Sequence, residues 1–380
     1  MLSKSQHIHT SFAVVGAGFA AFFAAIAAAR HGVKTVLVLT DEHADFTVAP
    51  SQSRETGLLE EFSLRLLYRP DVKAEDVLLA MAQAEENLTV HRCEGIDVET
   101  NDCRITSVTA AGVEIVADLF ADCTKVGILG CAVDEAKRQR EDYLIPESEA
   151  PSDTAAFFAD PETDMPVGIS YRYLLSEKAD NLFLAEDGGA ALGQAVGTAA
   201  AISMKHKKTP VEIGRTHIEE LRETLQYDDC FLPYCRRDVS EAALAAELGC
   251  DDTVSGDILN LRTGIDRCHM IYGEGDQGFT MAVGATIEYH MDEPYEVTRT
   301  RIVFDSDPDR AGEAVMPKTL AKIYALEIET ENGWEGILFE NENTRRVVTA
   351  AVCRSVTGIR LTVMETWGAR GVHLLSFDFE

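Results

Sequence analysis

The sequence predicts an α/β unit with a parallel sheet and a small antiparallel meander, followed by an all-β sandwich. Three observations predict it. A Gly16-x-Gly18-x-x-Ala21 turn stands between an apolar strand and an Ala-rich helix. Beyond about residue 250 the texture changes to short alternating strands punctuated by Gly, Asn and Pro. At 380 residues, 46% hydrophobic and 26% charged, the chain is long enough for two to three ordinary globular domains.

The elements follow in order. Residues 12–15 are an apolar strand, residues 20–30 a helix stopped by Gly32, and residues 34–40 a Val/Leu strand, which together make one βαβ unit. Helical periodicity returns at 55–67 and 73–86, ahead of a strand at 88–92. Alternation over 95–119 predicts the meander, and 120–130 reads as a strand running into a Gly-containing turn. Residues 137–166 carry Pro146, Pro151, Pro161 and Pro166 with no apolar period, which predicts a loop. Order resumes with a strand at 181–185, an Ala-rich helix at 190–205 and an amphipathic helix at 211–226. Residues 228–234 are a linker, which divides the chain into 1–235 and 236–380. In the second part, strands are predicted at 298–304, 321–329, 345–352, 358–364 and 372–379.

Composition excludes several classes. Lys plus Arg number 34 against 64 Asp plus Glu, a formal charge of −30, which repels nucleic acid and anionic lipid. The longest apolar run, residues 19–29, is too short to span a bilayer, and the polar first ten residues hold no signal-peptide core, so a cytoplasmic protein is expected. The nine cysteines include no C-x-x-C pair and suggest neither a disulfide framework nor a zinc site. Cys230 and Cys235 form a C-x4-C spacing read as two incidental thiols. The histidines, including the His7/His9 pair, do not cluster at ligand spacing, and no metal site is expected.

The glycine turn carries the chemistry. Gly16 permits a tight turn, Gly18 lets backbone amides approach a pyrophosphate, Ala21 keeps helix and strand close, and the helix N-terminus supplies partial positive charge. Thr40 stands where the ribose-binding carboxylate is expected, and Asp41 or Glu42, just past the second strand, is a candidate for the ribose hydroxyls. This turn and its helix, Ser53 to Glu61, Phe120-Ala121-Asp122-Cys123-Thr124, and Asn181 to Ala185 leading to Ala191 to Ala200, together resemble FAD-dependent oxidoreductases of the glutathione-reductase-like two-dinucleotide-fold superfamily. The resemblance covers residues 11–226. It implies a Rossmann-like FAD-binding domain with FAD as cofactor, Gly16, Gly18 and Ala21 as the pyrophosphate loop, Asp187 at the ribityl or pyrophosphate region, and Gly193, Gln194 and Ala195 near the isoalloxazine. Arg54 and Glu55, at the start of a helix in the same blocks, are weaker candidates for substrate positioning. Lys125 and Glu186 stand where the family carries glycine.

The second half, in Asp292 to Thr298, Thr300 to Asp307, Gly333-Trp334, Asn341 to Arg346 and Gly358 to Val363, resembles a galactose-binding-like, discoidin-type jelly-roll sandwich. That resemblance implies loops able to hold a carbohydrate, and Trp334 and Trp367 are candidate stacking platforms. The functional expectation is an oxidoreductase passing hydride between a small organic substrate and FAD, with no catalytic base assignable. Two alternatives stay open: a non-catalytic scaffold or partner subunit with a degraded flavin site, and a carbohydrate-binding protein acting through the sandwich.

Overall fold

The structure, a computed structural model, describes residues 6–48, 57–136, 138–145, 154–159, 166–185, 189–273, 275–306 and 315–380. It is mixed α/β with several sheets and divides into two compact units, residues 1–62 with 71–233, and residues 63–70 with 234–380. Among the described residues no helix is long and apolar enough to cross a membrane.

The first unit begins with β1 (Gln6–Gly16), α1 (Phe19–Arg30) and β2 (Thr35–Leu39). Next come α2 (Leu58–Tyr68), whose last residues belong with the second unit, α3 (Ala74–Gln83) and β3 (Leu88–Arg92). The meander is β4 (Ile96–Asn101), β5 (Arg104–Ala110) and β6 (Val113–Cys123), followed by α4 (Ile128–Ala132). Strands β3, β2, β1 and β6 pair in parallel in that order. The length of β6 explains how one sheet is both parallel and antiparallel. Its first half pairs antiparallel with β5, while residues 120–122 pair in parallel with β10 (Leu182–Leu184). Helix α1 buries every residue from Phe19 to Ala29, which is why it is Ala-rich and not amphipathic.

Where a loop is predicted over 137–166, the structure has β7 (Leu144–Ile145), β8 (Thr154–Ala159) and β9 (Pro166–Ser170) in a three-stranded antiparallel sheet. Ala155, Ala156 and Phe157 are buried there; the apolar run is short and the surrounding prolines hide it. The long α5 (Ala190–His206) follows. The single helix predicted over 211–226 is two, α6 (Pro210–Thr216) and α7 (Ile218–Tyr227), because His217 leaves helical geometry at φ −137°. Thr209 and Glu212 form a reciprocal capping box at the start of α6.

The second unit contains α8 (Glu241–Ala245), β11 (Glu247–Cys250), β12 (Thr253–Gly256), β13 (Phe279–Ala282), β14 (Thr286–Phe304), β15 (Ala321–Thr330), β16 (Gly333–Glu340), β17 (Val347–Thr366) and β18 (Gly371–Phe379). Two of these strands are much longer than predicted. Asp292-Glu293-Pro294 does not end a strand; it sits at a register shift between His290 and Tyr295 within β14. Cys353, at φ 50°, likewise lies inside β17 between the two strands expected from sequence. These irregularities let β14 and β17 run through both layers of a β-sandwich. One layer pairs β16, β15, the end of β17, the start of β14 and β11; the other joins the rest of β14 to β18, β13 and β12. The core between them includes Ile287, Tyr289, Leu326, Ile359, Leu361, Leu374 and Phe377.

Candidate functional site

The carboxyl edge of the parallel sheet is built by backbone. Gly16 has φ +153°, and a Cβ there meets the Cys123 carbonyl oxygen at 2.6 Å, so only glycine allows β1 and β6 to end this close. Gly18 caps α1 with no side-chain hydrogen bond, no acidic residue occupies the first turn, and among the described residues a Cβ on Gly18 meets nothing within 4 Å. Among the described residues, the helix N-terminus therefore faces open space, with its partial positive charge uncompensated by a carboxylate of its own first turn. Ala21 is buried under the turn, and Asp41 is exposed just past β2.

The loops after β2 and β6 are tied across this edge. Lys125 donates from its backbone N–H to Glu42 Oε2 at 3.3 Å and from Nζ to the His43 carbonyl at 2.7 Å. Asp122 holds the second loop in shape. Its Oδ1 accepts from the Thr124 amide and hydroxyl, and its Oδ2 from the Leu129 and Gly130 amides. Burial raises its pKa, outweighing those four bonds. Burial also pushes the Cys123 thiol well up, so it remains a protonated packing group.

Gly193, Gln194 and Ala195 are packing residues in the described structure. A Cβ on Gly193 meets the Ala20 carbonyl oxygen at 2.4 Å, which places α5 directly on the backbone of α1. Gln194 Oε1 accepts from the Leu58 amide at 2.9 Å, and its Nε2 donates to the Asp228 carbonyl at 3.3 Å. Ala195 is fully buried. Arg54, Glu55, Glu186 and Asp187 lie outside the described residues. His7 is a strand residue paired with Glu114 at 2.6 Å. All nine cysteines are free, Cys230 and Cys235 falling in different units.

The outward face of the sandwich layer that contains β16 is a polar and aromatic array. The strand register sets one row of Trp334, Glu329, Gly358, His290 and Glu247 beside a second row of Gly336, Glu327, Arg360, Glu288 and Gly249. Arg360 donates to Glu327 at 2.7 Å and its guanidinium carbon lies 4.2 Å from the Trp334 ring centroid. The hydrogen bond from Arg360 holds the Glu327 carboxyl below its ordinary range. Thr286 and Thr362 share a hydroxyl pair at 2.9 Å, and Phe339 in the adjoining row is 64% exposed. Among the described residues, Gly336 and Gly249, at the two ends of the second row, have nothing within 4 Å of a Cβ, leaving open floor there. Trp367 is differently placed: its Nε1 donates to the Asn343 carbonyl, and its ring packs against Tyr68 and Lys322.

Two groupings have no signal in sequence spacing. His206, His217 and Glu220 converge in the first unit, and Cys268, Asp276 and His373 in the second. His373 sits between Asp305 on Nδ1 and Asp276 on Nε2; burial lowers its pKa, but the two carboxylates together raise it.

No protein-family profile matches the sequence. A search of curated proteins also finds no match. Among solved structures, the family 32 carbohydrate-binding module from Streptococcus pneumoniae EndoD is similar at 13% identity, covering 37% of this chain and 99% of that one, with a TM-score of 0.30. A CBM32 module from Clostridium perfringens, in complex with GlcNAc-α-1,4-galactose, is similar at 13% identity over 38% of this chain and 97% of its own, with a TM-score of 0.28. Chitosan-binding module 1 from the chitosanase/glucanase of Paenibacillus sp. IK-5 matches at 11% identity over 37% and 98%, with a TM-score of 0.27. None of these is a FAD-dependent oxidoreductase.

Proposed function

We propose that the chain is a carbohydrate-binding protein that acts through the outward face of its sandwich. The observation that carries this reading is the row geometry around Trp334, Arg360 and Glu327. With the Arg360 guanidinium over one face of the Trp334 ring, the indole, the fixed guanidinium–carboxylate pair and nearby hydroxyls together form a mixed apolar and polar platform for sugar C–H groups and hydroxyls. Four carboxylates, Glu247, Glu288, Glu327 and Glu329, face one arginine and one histidine across these rows. Neutral and amino sugars suit that balance, and acidic sugars are repelled. The sequence resemblance to galactose-binding-like sandwiches points the same way. The test is calorimetry of the full chain with chitosan and galactan oligosaccharides. Trp334→Ala and Glu327→Gln are each expected to weaken binding about tenfold or more, the order of one to two kcal/mol for a stacking or charge-assisted contact. A parent protein that binds neither sugar at millimolar concentration sinks the reading.

A second reading is favoured by Gly18: dinucleotide binding at the edge of the parallel sheet. This edge lies where β1 is flanked by β2 and β6, a reversal of strand order at which open α/β sheets bind ligands. The residues present there fit a diphosphate: Gly18 is open, the 12-residue helix α1 aims its N-terminus there, and the Lys125 ammonium rests on a neutral carbonyl from which it can transfer to phosphate. FAD, where bound, would supply two-electron redox chemistry; the residues of this edge would hold only its diphosphate end. Gly18→Asp separates binding from folding. Aspartate is as good a helix cap as glycine or better, so thermal stability is expected to hold, while its charge is expected to weaken ADP or FAD binding about tenfold or more. Equal affinity in parent and variant, or no binding by the parent, removes this reading.

A further inference from the structure

We propose that His206, His217 and Glu220 form a binding site for a borderline transition-metal dication of the Zn2+ class. The three come from two helix ends and one first turn. His206 is the last residue of α5, His217 is the residue between α6 and α7, and Glu220 lies in the first turn of α7. Their candidate ligand atoms all lie within 4.8 Å of one another, and the two imidazole centroids are 4.0 Å apart at 35°. Zn2+ takes nitrogen at about 2.0–2.1 Å and carboxylate oxygen at about 2.0–2.2 Å, so small side-chain rotations close the set around one ion.

The hydrogen bonds prepare both imidazoles. Thr216 Oγ1 has one proton, and its contact with the Glu212 carbonyl at 2.8 Å takes it, since a carbonyl can only accept. Toward His217 Nδ1, at 2.6 Å, the hydroxyl must therefore accept. That fixes the proton on Nδ1 and leaves the lone pair of His217 on Nε2, the tautomer by which an outer partner orients a metal-bound histidine. His206 Nε2 lies 2.7 Å from Glu220 Oε2. The other Glu220 oxygen accepts from Lys205 at 2.7 Å. An entering dication takes the place of the proton between His206 and Glu220, and the exposed Lys205 ammonium swings off into solvent. Two nitrogens and one carboxylate oxygen match Zn2+, Co2+ or Ni2+, whereas Mg2+ and Ca2+ require all-oxygen shells. Solvent completes the coordination.

The experiment uses the full chain, stripped with chelator and titrated with ZnCl2 by calorimetry. CoCl2, monitored by its visible ligand-field absorption, gives an independent reading of nitrogen coordination. Parent protein is expected to bind one equivalent at this site with a dissociation constant of about micromolar, and to melt several degrees higher with saturating zinc. His217→Ala and Glu220→Gln are each expected to weaken that equivalent at least tenfold and to remove most of the thermal shift. His373→Ala, in the other cluster, is expected to leave it in place. If His217→Ala fails to fold, Glu220→Gln, a half-exposed isosteric change, carries the same comparison. Unchanged zinc stoichiometry and affinity in the foldable variants overturns the proposal, as does a parent that binds no zinc or loses its binding only in His373→Ala.

Discussion

Asp266→Ala is expected to destabilise the β-sandwich unit by about 3–5 kcal/mol, the cost of taking the shared carboxylate from buried cations. Asp266 Oδ2 lies 2.8 Å from Arg301 Nη1 and 3.4 Å from Arg237 Nε. Arg346 donates to its backbone carbonyl. Arg301, Arg237 and Arg346 are all nearly fully buried. Arg237 retains a second carboxylate, donating to Asp378, which also accepts from Ser376 at 2.6 Å. The network thus concentrates opposite charges where water cannot screen them, and removal of one negative centre leaves positive charge in low dielectric. Burial alone raises the pKa of Asp266, but Arg301, Arg237 and Arg346 outweigh it and hold the carboxyl below its ordinary range. The sign of the pH dependence follows. A depressed folded-state value contributes stability above the unfolded value of about 3.9, and that contribution is lost as pH falls through the folded value. The variant is therefore expected to lack the Asp266 share of the acid-dependent stability, which the parent loses as pH falls below about 4, and to have a lower urea midpoint at neutral pH. As an internal contrast, Glu335→Gln, which breaks an exposed pair with Arg354 at 2.7 Å, is expected to cost less than about 1 kcal/mol. If the two substitutions shift the urea midpoint equally, the buried network is not what holds this unit.

The course of the first sheet was legible because its signals are local. An apolar strand, a glycine turn, an Ala-rich helix and a Val/Leu strand occupy one continuous stretch, and β1, α1 and β2 appear there. The alternating texture of the second half was equally legible as an antiparallel sandwich. Strand length was not. Pro294 reads as a stop and 353–357 as a break between two strands, but a strand passing between two layers tolerates a proline at a register shift and a positive-φ residue such as Cys353. The sheet of β7, β8 and β9 was hidden because its apolar residues are few and its flanks are proline-rich. The His206, His217 and Glu220 grouping has no sequence signature because the break at His217 turns α7 back toward the end of α5, and no fixed spacing encodes such a turn. Small residues in α5 were ambiguous for a different reason. A glycine that lets a cofactor approach and a glycine that lets another helix approach look identical in sequence.

That ambiguity has a direct test: Gly193→Ala combined with Gly197→Ala is expected to destabilise the first unit by about 2–3 kcal/mol or more, the range for overpacking a rigid contact. Intrinsic propensity argues the other way, since alanine favours a helix interior over glycine by about 1 kcal/mol per site. Geometry decides between them. A Cβ at Gly193 meets Ala20 oxygen at 2.4 Å and Ala20 Cα at 2.6 Å, and one at Gly197 meets Ala24 oxygen at 2.2 Å and Ala27 Cβ at 2.8 Å. Three of these four neighbours are backbone atoms of α1, which cannot rotate aside as a side-chain tip can, so the helices must separate along their whole contact. The loss is expected in protein free of any nucleotide, read as a lower urea midpoint for the first unit. A further consequence reaches the diphosphate edge. Gly18 begins the same helix, so pushing α1 off α5 displaces the amides that face the edge, and ADP affinity is expected to fall in parallel with stability. A midpoint that rises, as helix propensity alone predicts, shows that α5 does not lie on the α1 backbone and returns Gly193 to a cofactor role.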